Sequence, residues 1–138
     1  MPTNTQGRPA RELSSQQVNY LRKTVNFNDP GIATGIPVRS WLPEGAQILR
    51  TVVTIQTVFN AQTTNVLTVG TNASSYNDIV GSGDVDETVL GATTVLTGAK
   101  LNALSADKQV YVMYTQTGTA ATTGKASIVI EYAPDNDE

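Results

Sequence analysis

The chain has 138 residues, a formal charge of -3, no cysteine and no histidine. Those absences exclude disulfides, thiolate metal sites, cysteine nucleophiles, HExxH zinc centres and any triad or general base built on imidazole. One domain is expected at this length, and a chain of about 140 residues buries roughly two thirds of its unfolded surface, so a core can form without staples.

Charged residues make up only 15% of the chain, against about 25% in an average soluble domain. Threonine alone supplies about a seventh. Threonine with valine marks strands that must fit a pleated, half-buried surface. No run approaches the ~20 apolar residues of a membrane span, and the N-terminus lacks the basic-then-apolar layout of a signal peptide. The expectation is a soluble all-β domain made in the cytoplasm, with no enzymatic activity, no cofactor and no membrane partner.

The charge is unevenly spread. Residues 1–28 hold Arg8, Arg11, Arg22 and Lys23 against the single acid Glu12, a balance of +3. The remainder carries -6. Residues 1–17 have almost no large apolar side chain beyond Met1 and Leu13, so they cannot bury enough area to offset their own ordering entropy. Residues 1–22 are therefore expected to form an extended basic arm, with a short helical turn over 11–17. A basic arm on an acidic body suits self-assembly or docking onto an acidic surface. Arg8, Arg11, Arg22 and Lys23 are its expected contact residues.

Residues 23–134 read as strands and turns, closed by an acidic tail at 135–138. Residues 18–27 alternate loosely and end at the turn Asn28-Asp29-Pro30-Gly31. Residues 35–41 suit a short strand that Pro37 confines to an edge. The longest β run is 47–59, where alternation slips near Val52-Val53, as at a bulge. Residues 65–70 form the next strand. The stretch 71–87 is long and polar, with one helical turn expected over 74–80 and Tyr76, Ile79 and Val80 packing inward. Residues 88–97 return to β character. Residues 109–117 alternate cleanly, and 125–132 are expected to pair with them as a closing hairpin through the small-residue loop 118–124. Seven to eight strands at this spacing predict a Greek-key or jelly-roll-like β-sandwich. The long polar middle suits crossing connections better than a meander.

Candidate chemistry is sparse. Asp84, Asp86 and Glu87 lie in Gly-Ser-Gly-Asp-Val-Asp-Glu. Clustered carboxylates suit calcium, but the spacing is neither an EF-hand nor a tandem glycine–aspartate repeat. A solvated acidic loop, or one that meets a basic partner arm, fits better. Asp84 and Asp86 are thus candidate contact residues of the body. Trp41, the only tryptophan, suits a core or edge-plugging position, with a surface contact as the alternative. The glycines at 81 and 83 lack the strand–helix context of a nucleotide loop. Four basic residues in an arm, with Tyr20 the only aromatic beside them before Phe27, are a weak nucleic-acid footprint, so no nucleic-acid partner is expected.

Several phrases resemble a known group of proteins. They are the run Lys23-Thr24-Val25-Asn26-Phe27-Asn28-Asp29-Pro30-Gly31-Ile32-Ala33-Thr34-Gly35 and then Leu42-Pro43-Glu44-Gly45-Ala46. Val58-Phe59-Asn60-Ala61, Thr64-Asn65-Val66-Leu67-Thr68-Val69-Gly70-Thr71 and Tyr114-Thr115-Gln116-Thr117-Gly118-Thr119-Ala120 follow. Over residues 23–133 the text resembles small virion proteins of tailed bacteriophages, especially head cement or decoration proteins on HK97-type shells. The resemblance implies a jelly-roll-like domain on the capsid exterior that braces neighbouring major capsid subunits as a dimer or trimer. It fixes no individual functional residue. Other phage structural parts (tail tube, head–tail adaptor, fibre base) and a carbohydrate-binding sandwich are the alternatives.

Overall fold

A computed structural model describes residues 18–96 and 103–134. Arg8, Arg11, the helical turn expected over 11–17 and the acidic tail lie outside the described residues. All regular structure among the described residues is strand: β1 (Asn19–Asn26), β2 (Ile36–Pro37), β3 (Gln47–Thr57), β4 (Thr64–Gly70), β5 (Gly91–Val95), β6 (Tyr111–Thr117) and β7 (Lys125–Ala133). The fold is a β-sandwich of seven strands, as the threonine- and valine-rich composition predicts.

The odd-numbered strands form one antiparallel sheet in the order β1-β7-β3-β5, and the even-numbered strands form the other, β2-β6-β4. Every connection therefore crosses from one sheet to the other. Alternating side chains from both sheets meet in between. Val25, Val53, Ile128 and Ile130 come from the first sheet, and Leu67, Val69, Val112 and Tyr114 from the second; all are almost completely buried. Burial on this scale stabilises by about 25 cal/mol per Å² of apolar area removed from water.

This topology corrects the expected closing hairpin. β6 pairs with β2 and β4, while β7 pairs with β1 and β3. Within each strand the alternation holds, with Val112 and Tyr114, and Ile128 and Ile130, on the buried face. Alternation identifies the buried face of a strand but not its neighbour in the sheet. The loop 118–124 is instead zipped to the crossing segment 58–63. The Asn60 side-chain oxygen accepts from the Thr122 and Thr123 amides at 2.7 and 3.0 Å. Gln62 Oε1 accepts from the Thr119 amide at 3.1 Å and its hydroxyl at 3.0 Å. Thr123 Oγ1 donates to the Val58 carbonyl at 2.9 Å. At the end of this loop Gly124 has φ +153, and a Cβ there would stand 2.4 Å from the Phe59 ring. Phe59 in turn packs against Tyr114, with ring centroids 4.7 Å apart.

Three smaller expectations also change. The slip in β3 lies not at Val52-Val53 but at two register shifts against β7, between Ile48 and Arg50 and between Ile55 and Thr57. The extra residue Leu49 is turned outward, which lets both Ile48 and Thr51 be buried. The expected strand over 35–41 contracts to two residues, Ile36 and Pro37, at an edge of the second sheet, where Pro37 suits it. Residues 74–80 make turns rather than a helical turn, with positive φ at Ser74 and Tyr76. Ile79 and Val80 are fully buried as expected, whereas Tyr76 is half-buried and stacks on Tyr111 at 4.5 Å.

Candidate interaction surface

The sequence-predicted contact residues are dispersed over the sandwich. Arg22 and Lys23 are both in β1, an edge strand, opposite Val129 and Ile128 of β7. As neighbours in a strand they face opposite ways. Arg22 is exposed on the outer face, where it lines a hollow of about 330 Å³ with Val18, Tyr20, Val129 and Glu131. Next to it Arg50 Nε donates to Glu131 Oε1 at 3.0 Å. Lys23 shares the parity of the buried Leu21 and Val25 and is half-buried at the sheet margin. The two cations do not form one basic patch.

Trp41 is 54% exposed, so the expected core position is wrong. Its neighbour Leu42 takes the core place, tied to Lys108 by backbone bonds of 2.8 and 2.9 Å. Only one of two adjacent side chains in an extended segment can face inward, and at this pair it is leucine.

The three carboxylates of the acidic loop point to three separate backbone donors. Asp84 accepts from the Gly81 amide at 2.8 Å. Asp86 accepts from the Thr88 amide at 3.0 Å and its hydroxyl at 2.6 Å. These two bonds hold the Asp86 carboxyl below the usual aspartate range. Among the described residues no group of three potential metal ligands converges. Asp84 and Asp86 stay at the surface, as a solvated loop requires.

Glu87 departs from that expectation. It is only 4% exposed, and its carboxylate accepts the Leu67 amide of β4 at 3.0 Å. Burial is the main cause that pushes its pKa upward, the Leu67 bond opposing. The nearby Tyr114 hydroxyl is also pushed up, by burial and by the charge on Glu87. The sequence shows only one acid among three. What distinguishes Glu87 is its place just before β5, where the loop returns under β4.

The rest of the loop covers the same strand. Val69 and Val80 exchange backbone bonds of 3.2 and 2.9 Å, and the Ile79 amide donates to Val69 at 3.0 Å. Thr71 donates to Asp78 through its amide at 2.7 Å and its hydroxyl at 2.8 Å. Gly70 lets the loop approach, since a Cβ there would stand 2.6 Å from the Asn77 backbone nitrogen. Loop 71–87 therefore takes the place of a neighbouring strand along the far side of β4.

No protein-family model matches the chain, and no curated protein matches it in sequence. Solved structures do match in fold. A chain in the acidic stable capsid structure of Helicobacter pylori bacteriophage KHP30 superposes with a TM-score of 0.65 at 16% identity, over 88% of this chain and 91% of that one. A chain in the capsid asymmetric unit of cyanophage Pam1 gives 0.59 at 20% identity, over 86% of each chain. A chain in the capsid of Ralstonia phage GP4 gives 0.53 at 16% identity, over 88% of this chain and 86% of that one. At these identities the likeness establishes a shared fold.

Proposed function

We propose that the chain is a non-enzymatic structural protein of a phage virion. It binds the capsid exterior and cements neighbouring major capsid subunits as a homo-oligomer. The observation that carries this reading is the fold likeness to three chains from phage capsids, spanning nearly the whole of each. The phrases of residues 23–133 that resemble cement proteins support it independently. Loop carboxylates that each accept a separate backbone amide suit a part whose work is to hold other parts.

In this reading the basic arm, with Arg8 and Arg11 and continuing into β1 at Arg22 and Lys23, meets acidic surface on the capsid or on a sister subunit. Trp41, Asp84 and Asp86 are the contacts of the body. Segments that order on binding add area without a core of their own. Many equivalent sites on one shell then make modest contacts effectively permanent.

Purified full heads test this by copy number and by binding. A cement protein is present on the order of hundreds of copies per head, because it repeats with the shell lattice. A few dozen copies would move it to the neck or tail. Removal of residues 2–17 leaves β1 whole and should give a folded protein that no longer decorates heads. Decoration that saturates unchanged would reject the role of the arm while leaving the copy number to judge the cement role.

A further inference from the structure

Four strands bound the two sheets, and three of them are closed to pairing by identifiable means. β4 is covered by loop 71–87, with the Leu67 amide on the Glu87 carboxylate and Val69 bonded to Val80. β2 is two residues long and ends in Pro37, which has no amide to offer. β1 carries Arg22 outward and Lys23 with inward parity, and charges on an edge, above all inward-pointing ones, block the approach of another strand.

Among the described residues β5 has no such protection. From Thr88 to Leu96 the chain has no charged residue and no proline. Gly91, Ala92 and Thr94 are exposed, and the flanking Val89, Leu90 and Leu96 are 57%, 62% and 68% exposed. Among the described residues β5 has a hydrogen-bonded neighbour only on its β3 side. An exposed, apolar, uncharged edge, unpaired among the described residues, is a template for a further strand.

We infer that β5 is a homotypic pairing edge, which joins antiparallel to β5 of a second copy across a twofold axis and continues the four-stranded sheet through both subunits. The choice of a second copy follows from charge. A twofold contact sets the same patch against itself. At β5 that places threonine, alanine, valine and leucine opposite one another with no like charges. The same contact at β1 would bring Arg22 and Lys23 against their own copies. The inference stands apart from the virion role, because self-association is read on the purified chain alone.

Sedimentation of the purified full chain over a concentration series should show a monomer–dimer equilibrium. Thr94→Lys, at an exposed position, should weaken association at least tenfold with an unchanged circular-dichroism spectrum, and Leu90→Lys in the segment leading into β5 should do the same if the first variant folds poorly. The absence of native cysteine allows a second test. Single cysteines placed in turn from 91 to 95 should cross-link two chains at the position nearest the axis, since paired strands bring Cα atoms to about 4.5–5.5 Å, within disulfide reach. A cysteine at Thr24 in β1 should not. A chain monomeric at every concentration, association indifferent to both lysine variants, or cross-linking at Thr24 but at none of 91–95 would overturn the inference. So would a monomer whose binding to heads is abolished by Thr94→Lys, because that result gives the edge to a strand of the capsid.

Discussion

β4 and β5 are both outermost strands of antiparallel sheets, yet the chain treats their far sides in opposite ways. Along β4 a long loop supplies a buried carboxylate and the bridge of Val80 to Val69, and Gly70 at the end of the strand permits its close approach. Along β5 it supplies small and apolar side chains and no cover from the described residues. Edge strands left without a partner are liabilities that proteins normally blunt. A molecule that spends some seventeen residues on closing one edge and, among the described residues, none on another separates a finished boundary from one available to assembly.

The largest expected effect comes from prying the cover off β4. Gly70→Ala forces backbone at Tyr76 and Asn77 to retreat, an overpacking error that should cost about 1–3 kcal/mol. Denaturant melts would read the loss, and an unchanged midpoint would mean the loop is not packed on β4 as described.

Glu87→Leu follows. It leaves the Leu67 amide buried without its acceptor, which should cost about 1–3 kcal/mol, and most clearly in mild acid. The pH dependence has a definite sign. Burial raises the folded-state pKa of Glu87 above the ordinary glutamate range, so the folded protein holds this proton to higher pH than the unfolded chain does. Its stabilising contribution is full below the unfolded pKa and declines as pH rises through the folded one. Melts of wild type against Glu87→Gln, which keeps an acceptor for Leu67, should therefore diverge as pH rises through that window, with wild type losing ground. A constant difference would contradict the burial of an ionisable group at this place.

A smaller change of opposite sign is expected at Thr68. Its hydroxyl is buried in β4 and makes no hydrogen bond to any described residue. Thr68→Val should stabilise by about 1 kcal/mol, since an unsatisfied buried polar group is removed. Smallest of all is Arg50→Ala on the outer face of the other sheet. The Arg50–Glu131 pair is largely solvated, with Arg50 53% exposed, and such pairs contribute less than about 1 kcal/mol. A loss well above that value would show that this face is less open to water than its exposure implies.

Much of the local structure was legible in the sequence. Branched residues in alternation marked the major strands, and Pro37 correctly confined its strand to an edge. Ile79 and Val80 were identified as buried even though the expected helical turn around them was not formed. Neighbour relations were not legible. Tyr111–Thr117 and Lys125–Ala133 alternate as partners in a hairpin would, and nothing in a period of two distinguishes a strand beside them from a strand across the core. Trp41 misled for a related reason, because Leu42 next to it was an equally good inward residue and only one could face in. Glu87 was invisible as a buried group because its environment depends on how the loop returns beneath β4. Its two acidic neighbours, Asp84 and Asp86, have the solvated positions that an acidic loop predicts for all three.

Hydrogen exchange resolved by residue, on the purified chain at low and high concentration, compares the two edges in a single sample. The Leu67 and Val69 amides should be protected at both concentrations, because Glu87 and Val80 accept from them within one chain. The outward amides of β5 should exchange rapidly when dilute and become protected when concentrated. Equal protection of both strands in the dilute sample, or fast exchange at Leu67 and Val69, would contradict the contrast between a closed and an open edge.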